Sequence, residues 1–412
     1  MHKLLSGLLL VTLIISGFAV RYGQFRGCSL HRDEPGTNTL ALRSVMEYAY
    51  PEHGAEKTEI NGAFYYKFIQ YPWQIFSSCI LGDDTVSGYR FSSVIGALAG
   101  FAVIFVLGRR CAGTWTALLA LAFLSINGCH QYYSNYMRYH IFSLFLAAAA
   151  SLQFIHTLKK PSSGRWSTYH ILTVLNIYTS LNNITLFPAH WVCAALYAKF
   201  SRSLPEKERK ILLCNIIASA VLCILSFIPM PLWDTGALSR MDWYPVLSAP
   251  LMLNIFCSLA GLKEYLCDPV SILYLSGAFI FIVLGSVSAF EELRQGRIEK
   301  IMLFAWLIIP ILLHIAVSVI IHPITIARNL IFLMPPFFLL MALGMRRLAA
   351  SKAGAALVLV FAVFSAPAML AQCGHNVYYD WDEVILPQYY GTHLDGCCRY
   401  PGDHIKHHYK IP

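Results

Sequence analysis

The stretch Tyr136-Met137-Arg138-Tyr139-His140-Ile141-Phe142-Ser143-Leu144-Phe145-Leu146 runs on apolar through Ala147-Ala148-Ala149-Ala150 to Leu158 and closes on Lys159-Lys160. Its reading decides the fold class. An uninterrupted apolar run of about 20 residues is the length that crosses a hydrocarbon core as a helix. Comparable runs recur at residues 4–20, 92–107, 116–127, 168–181, 184–197, 211–232, 270–290, 301–321, 326–345 and 353–372. The pattern predicts an all-α polytopic helical membrane protein of about eleven transmembrane helices. Composition agrees: of 412 residues 57% are hydrophobic and 13% charged, with a mean hydropathy of +0.55. A soluble domain carries roughly twice that charged share.

The formal net charge of +9 would suggest nucleic acid as a partner in a soluble protein. Here the basic residues fall in short clusters between spans, so they report topology, and no nucleic acid is expected. With the amino terminus inside, the inner turns carry Arg109-Arg110, Lys159-Lys160 with Arg165, the 199–210 segment, Arg294 to Lys300, and Arg346-Arg347 with Lys352. Every inner turn is then basic, as the positive-inside rule requires. Residues 247–262 are hydrophobic enough for a twelfth span, but that count would turn Arg294, Arg297 and Lys300 outward. They are read instead as an interfacial or re-entrant helix. Residues 1–372 form one membrane domain, from which the 21–91 loop, the 234–268 segment and the polar 373–412 tail face outward. The first 20 residues look like a signal peptide and are expected to remain as an anchor. The twelve cysteines show no CxxC pair. Cys193, Cys214 and Cys223 read as apolar fillers inside spans, and Cys28, Cys373, Cys397 and Cys398 sit where disulfides could form in an oxidising compartment.

Chemistry is expected in the first outer loop, at His31-Arg32-Asp33-Glu34-Pro35. Beyond it, residues 37–50 space their apolar side chains as a short amphipathic helix, and 64–76 is rich in Phe, Tyr and Trp, which favour the headgroup level. Charges near membrane depth are costly and mark functional positions. Arg138 and Arg328 each sit at the outer start of a span, on the same side as Asp33 and Glu34. Two carboxylates and two guanidinium groups on one face suit transfer of a group from a phosphate leaving group: the forks bind phosphate oxygens, and a carboxylate takes the proton of an attacking hydroxyl. The plainer readings are that each arginine snorkels to the interface and that the acidic pair is a solvated cap. A divalent metal could sit on the outward carboxylates, although no complete ligand set is visible. His130, His140 and His190, near span ends, are read as packing residues, and the sequon Asn183-Ile184-Thr185 as incidental.

In the order of these features the chain resembles the GT-C membrane glycosyltransferases, in the branch of protein O-mannosyltransferases and aminoarabinose transferases (glycosyltransferase family 39-like). The resemblance rests on Asp33-Glu34, on Glu59-Ile60-Asn61-Gly62-Ala63-Phe64-Tyr65-Tyr66, and on Tyr89-Arg90-Phe91-Ser92 through Gly100 with Leu107-Gly108-Arg109-Arg110. It continues with Tyr133-Ser134-Asn135-Tyr136-Met137-Arg138-Tyr139 and with Arg328 before Pro335-Pro336. Pro35-Gly36 after the acidic pair departs from the family pattern, as does the lack of proline at 59–61. The shorter bacterial-type members are the nearer match. The resemblance implies GT-C architecture and an inverting transferase. Its donor would be a polyprenyl-phosphate-linked sugar, hexosyl or pentosyl, and its acceptor a hydroxyl of a glycan, lipid or protein. It implies Asp33 as base, Glu34 in support, Arg138 and Arg328 on the donor phosphate, and Glu59, Lys67 and Tyr139 lining the same cavity. The setting would be a bacterial inner membrane with the site facing the periplasm, in contact with membrane lipids. The rival reading of the same residues is a transporter or flippase for a lipid-linked or anionic solute, against which stands the absence of two related halves.

Overall fold

The computed structural model describes residues 2–25, 62–81, 86–200, 205–227, 245–262, 269–293, 295 and 297–375. Asp33, Glu34, Glu59, the amphipathic stretch expected at 37–50 and the 376–412 part of the tail lie outside them. Contacts divide the chain after Val377, and every described residue belongs to the first unit. The described residues hold no strand.

In chain order the helices are α1 (His2–Phe25), α2 (63–80), α3 (Val86–Ala112), α4 (Thr114–Ser125), α5 (Gly128–Ser134), α6 (His140–Lys159) and α7 (Ser163–Thr179). They continue as α8 (Leu186–Phe200), α9 (Glu206–Phe227), α10 (Ala249–Ala260), α11 (Pro269–Leu293), α12 (Glu299–Ile320), α13 (Met334–Leu348) and α14 (Lys352–His375). Short 3-10 segments, Leu181–Thr185 and Ala327–Leu333, precede α8 and α13. Each of the apolar runs read from the sequence overlaps a helix; 228–232 lie outside the described residues, and the start of the 326–345 run is the 3-10 segment Ala327–Leu333. Among the described residues seven helices are long and apolar enough to cross a membrane: those of Leu5–Tyr22, Gly88–Ala112, His140–Lys159, Glu206–Ser226, Pro269–Leu293, Glu299–Ile320 and Ala327–Leu348.

The last of these is the centre of the bundle. In its apolar stretch 94% of positions are buried, against 11% in the stretch of α1. α13 reaches α11 through paired glycines: a methyl group at Gly285 would overlap the Leu340 carbonyl, and one at Gly344 the Phe281 carbonyl. Between helices in lipid there is no hydrophobic driving force for association, and such close backbone packing takes its place. Outer faces stay apolar, with Leu8, Ile217 and Val363 exposed, as a lipid solvent permits.

The expected alternation can be tested by which turns meet. Arg346 Nη1 donates to the Ala112 carbonyl at 2.5 Å, joining the ends of α13 and α3. Arg347 grips Glu291 of α11 with both terminal nitrogens, at 2.5 and 2.8 Å. Lys300 of α12 reaches Glu292 at 2.6 Å, and Lys159 of α6 pairs with Glu299. Four turns assigned to one face by charge therefore converge on one face. A membrane-crossing α10 would have separated them. α10 has 12 residues, about 18 Å at 1.5 Å per residue and short of a core of about 30 Å, but so has α4, so the convergence of the basic turns, and not length, decides against α10 as a span. Ser248 caps its start, and Asn127, from the turn between α4 and α5, donates to the Leu259 carbonyl near its end at 3.0 Å. The reading of 247–262 as a non-spanning helix matches this geometry.

Candidate functional site

The aromatic run at 64–76 folds as α2, a helix alternating α and π turns: Tyr66–Gln70 and Phe76–Ile80 are π-helical. π turns shift the side chains after them around the axis and are frequent at functional sites. One side is fastened to the start of α3. Trp73 Nε1 donates to the Gly88 carbonyl at 2.8 Å. Gln70 Oε1 accepts from both Tyr65 and Ser92 at 2.8 Å. The other side is apolar and open, with Phe68 67% and Ile80 69% exposed. A helix bonded on one side and apolar on the other has the character of one that lies along a membrane surface. Lys67 stands on it with its ammonium over the Tyr71 ring, 5.8 Å from the centroid.

α2 begins at Gly62, whose φ of +92° lies in the left-handed region. A Cβ there would also overlap the ring of Tyr139. Only glycine meets both conditions without strain. Gly62→Ala is expected to cost about 2–5 kcal/mol from the left-handed backbone and the overlap, read as a lowered melting temperature of purified protein.

Arg138 lies between α5 and α6, half-buried, and its Nη1 donates to the Tyr66 hydroxyl at 2.6 Å. The Tyr66 ring meets Tyr139 edge-on at 6.3 Å, and Tyr65 packs on Phe142 at 5.3 Å. Tyr133 meets His140 edge-on at 4.9 Å, and Tyr136 stacks on His140 at 6.1 Å. The structure thus brings Arg138, Tyr139 and α2 together. Arg328, also half-buried, is on the 3-10 segment Ala327–Leu333, which packs against α6 and α10. Asn329 Nδ2 donates to the Ile324 carbonyl at 2.8 Å and closes the turn before it. Pro335 and Pro336 occupy the first turn of α13, where missing N–H groups cost nothing. Arg138 and Arg328 therefore sit on neighbouring elements, each leading into a helix that runs to the basic turns at the opposite face.

The sequence reading missed Arg21. It ended the first span at residue 20, whereas α1 continues and buries this side chain completely. Arg21 Nη2 meets His130 Nδ1 at 2.7 Å and Nε donates to Ser134 Oγ at 3.1 Å. Nη1 donates to the Gly17 carbonyl at 2.8 Å, and the guanidinium lies 4.9 Å from the Phe101 centroid. His130 and Ser134 stand one turn apart on α5, the helix that leads into the Arg138 segment. Arg21 thereby anchors the frame of Arg138. Arg21→Met is expected to lower folding stability by about 2–4 kcal/mol, since it removes charge-assisted bonds from buried partners; thermal unfolding in detergent reads it. A sequence signal exists in Gly17 and Arg21 at i,i+4 with His130 and Ser134 at i,i+4, but only pairing two distant helices gives it meaning.

Other expectations resolve simply. His190 bonds Ser151 and Tyr169 inside the bundle, a packing role. Asn183 of the sequon is fully buried and bonds Ser143 and Asn176, so it is no glycan acceptor. Cys193 and Cys223 are buried free thiols, while Cys214 is exposed on α9. Among the described residues no group of three His, Cys, Asp or Glu could hold a metal.

The helical bundle is similar in fold to solved structures of the oligosaccharyltransferase AglB and of ArnT. The oligosaccharyltransferase AglB of Archaeoglobus fulgidus, in complex with an inhibitory peptide and a dolichol-phosphate, matches 92% of this chain and 56% of its own length at 11% identity and a TM-score of 0.56. ArnT of Cupriavidus metallidurans in the apo state matches 89% of this chain and 76% of its own at 14% identity and 0.55. The same protein bound to undecaprenyl phosphate matches 85% and 62% at 14% identity and 0.55. The chain spans about half the length of the oligosaccharyltransferase structures, 55% in the one tethered to an acceptor peptide. No protein-family model matches the chain, and no curated protein matches it by sequence.

Proposed function

We propose that this protein is an inverting glycosyltransferase that moves a sugar from a polyprenyl-phosphate donor to an acceptor hydroxyl at the outer membrane face. The observation that carries the reading is the Arg138 guanidinium held at 2.6 Å by Tyr66, at the junction of a membrane-surface helix and a span. A lipid phosphate entering sideways from the bilayer arrives at this depth, and a guanidinium fixed in advance meets its oxygens without reorganising. Arg328, on the neighbouring segment, would take a second oxygen. Asp33 would accept the acceptor proton with Glu34 beside it, while Glu59, Lys67 and Tyr139 would line the cavity. Positioning donor and acceptor supplies much of the acceleration. The fold supports this reading: one structural neighbour is bound to undecaprenyl phosphate and another to a dolichol-phosphate. A zinc and sulfate complex of the oligosaccharyltransferase makes a divalent ion a reasonable addition to assays, and none of the roles given to these residues depends on one. A multi-pass protein of the bacterial inner membrane, with its site towards the periplasm, fits the charge distribution.

The test is transfer of labelled sugar from a panel of polyprenyl-phosphate donors by purified protein in lipid discs, with membrane extract supplying acceptors. Consumption of one donor, with label appearing on acceptor and free lipid phosphate released, is the expected result. Movement of the intact lipid without sugar release would replace the transferase by a flippase.

A further inference from the structure

The opposite face of the bundle carries a cleft that the transferase reading does not use. Its volume is about 570 Å³, and it lies where the ends of α3, α11 and α13 meet the start of α12. The arginines of the proposed donor site lead into α6 and α13, whose far ends reach this face; at 20 residues α6 alone separates the two regions by about 30 Å.

The charges lining the cleft do not cancel. Glu291 is matched by Arg347 and Glu292 by Lys300. Glu299 is matched by Lys159, which lies outside the lining. Three lining arginines are left in surplus. Arg346 spends one nitrogen on the Ala112 carbonyl. Among the described residues Arg297 reaches only the already paired Glu292, at 3.8 Å. Arg110 makes no hydrogen bond or ion pair among the described residues, although it lines the same space. Basic side chains at helix ends are partly explained by the helix dipole and by topology. Those effects account for basic residues gathering on this face; they do not by themselves leave three guanidinium groups incompletely neutralised around one cavity of small-molecule size.

We propose that this cleft is a binding site for a phosphate-bearing anion, held by Arg110, Arg297 and Arg346. Guanidinium forks match phosphate oxygens two at a time. The phosphate belongs either to a soluble compound or to an anionic lipid headgroup of the adjoining leaflet. The site stands whether or not the transferase reading does.

The experiment uses full-length protein, with inorganic phosphate titrated calorimetrically at low ionic strength. In parallel, retained phosphatidylglycerol is counted over phosphatidylcholine by native mass spectrometry. Arg110→Gln is the first variant, because that side chain makes no hydrogen bond or ion pair among the described residues, and Arg297→Gln is the second. Arg209→Gln, on exposed α9, controls for bulk charge. Saturable phosphate binding weakened about tenfold by either cleft variant, but not by the control, establishes a site for soluble phosphate compounds. Phosphatidylglycerol retention with the same dependence, and no binding of free phosphate, establishes a headgroup site. Absence of both, or equal loss in Arg209→Gln, overturns the proposal and leaves an ion-pair clamp between helix ends.

Discussion

Arg138→Gln is expected to lower turnover of the polyprenyl-phosphate donor by about 10²–10³-fold, the usual effect of removing one fixed donor from developing negative charge. The leaving phosphate gains charge as the sugar departs, and a neutral amide cannot follow that gain. The bond from Arg138 to Tyr66 makes a second, smaller effect separable. Tyr66→Phe keeps the ring packed on Tyr139 and removes only the hydroxyl, so the guanidinium remains but loses this one bond. A loss of about tenfold is expected there, the scale of one charge-assisted hydrogen bond. Arg138→Lys restores charge without the fork and should fall between the two. The rate of free lipid phosphate release at saturating donor orders the three variants. Full activity in Arg138→Gln would return this residue to the role of an interface anchor.

The helices were legible because the bilayer imposes length and apolarity on each, independently of its neighbours. Parity was legible too, since Arg110, Lys159, Arg297 and Arg346 had to share a face and their turns do converge on one. The site was legible only as a set of residues. Arg138 and Tyr66 are 72 residues apart, and no local pattern predicts that a π-helical turn brings one hydroxyl to the other's nitrogen. Arg21 was hidden for a related reason. A cation next to an apolar run reads as the end of a span, while its actual place depends on His130 and Ser134, more than a hundred residues away. Gly62 stood in plain view within the Glu59 to Tyr66 motif, yet its importance comes from the Tyr139 ring that fills the space a side chain would need. Spacing along one chain carries length and periodicity; contacts between segments carry chemistry.

Asp33→Asn is expected to have the largest effect of all, a fall of about 10³-fold or more in sugar transfer, within the range general-base groups supply. The substitution keeps size and hydrogen-bonding capacity but removes the basic oxygen. The acceptor hydroxyl would then have to attack before losing its proton. Donor binding should persist, because the proposal assigns the phosphate to Arg138 and Arg328. The same variant must therefore still retain polyprenyl phosphate while failing to release it from sugar. Glu34→Gln, assigned a supporting role, should lose about tenfold, as when one hydrogen bond to a charged group is removed. The order of these two variants matters more than either value. If Glu34→Gln were the more damaging, the base would be the second carboxylate of the pair. If both left transfer intact while Arg138→Gln abolished it, the reaction would need no base from this loop, and the acceptor would have to lose its proton to another group or directly to water.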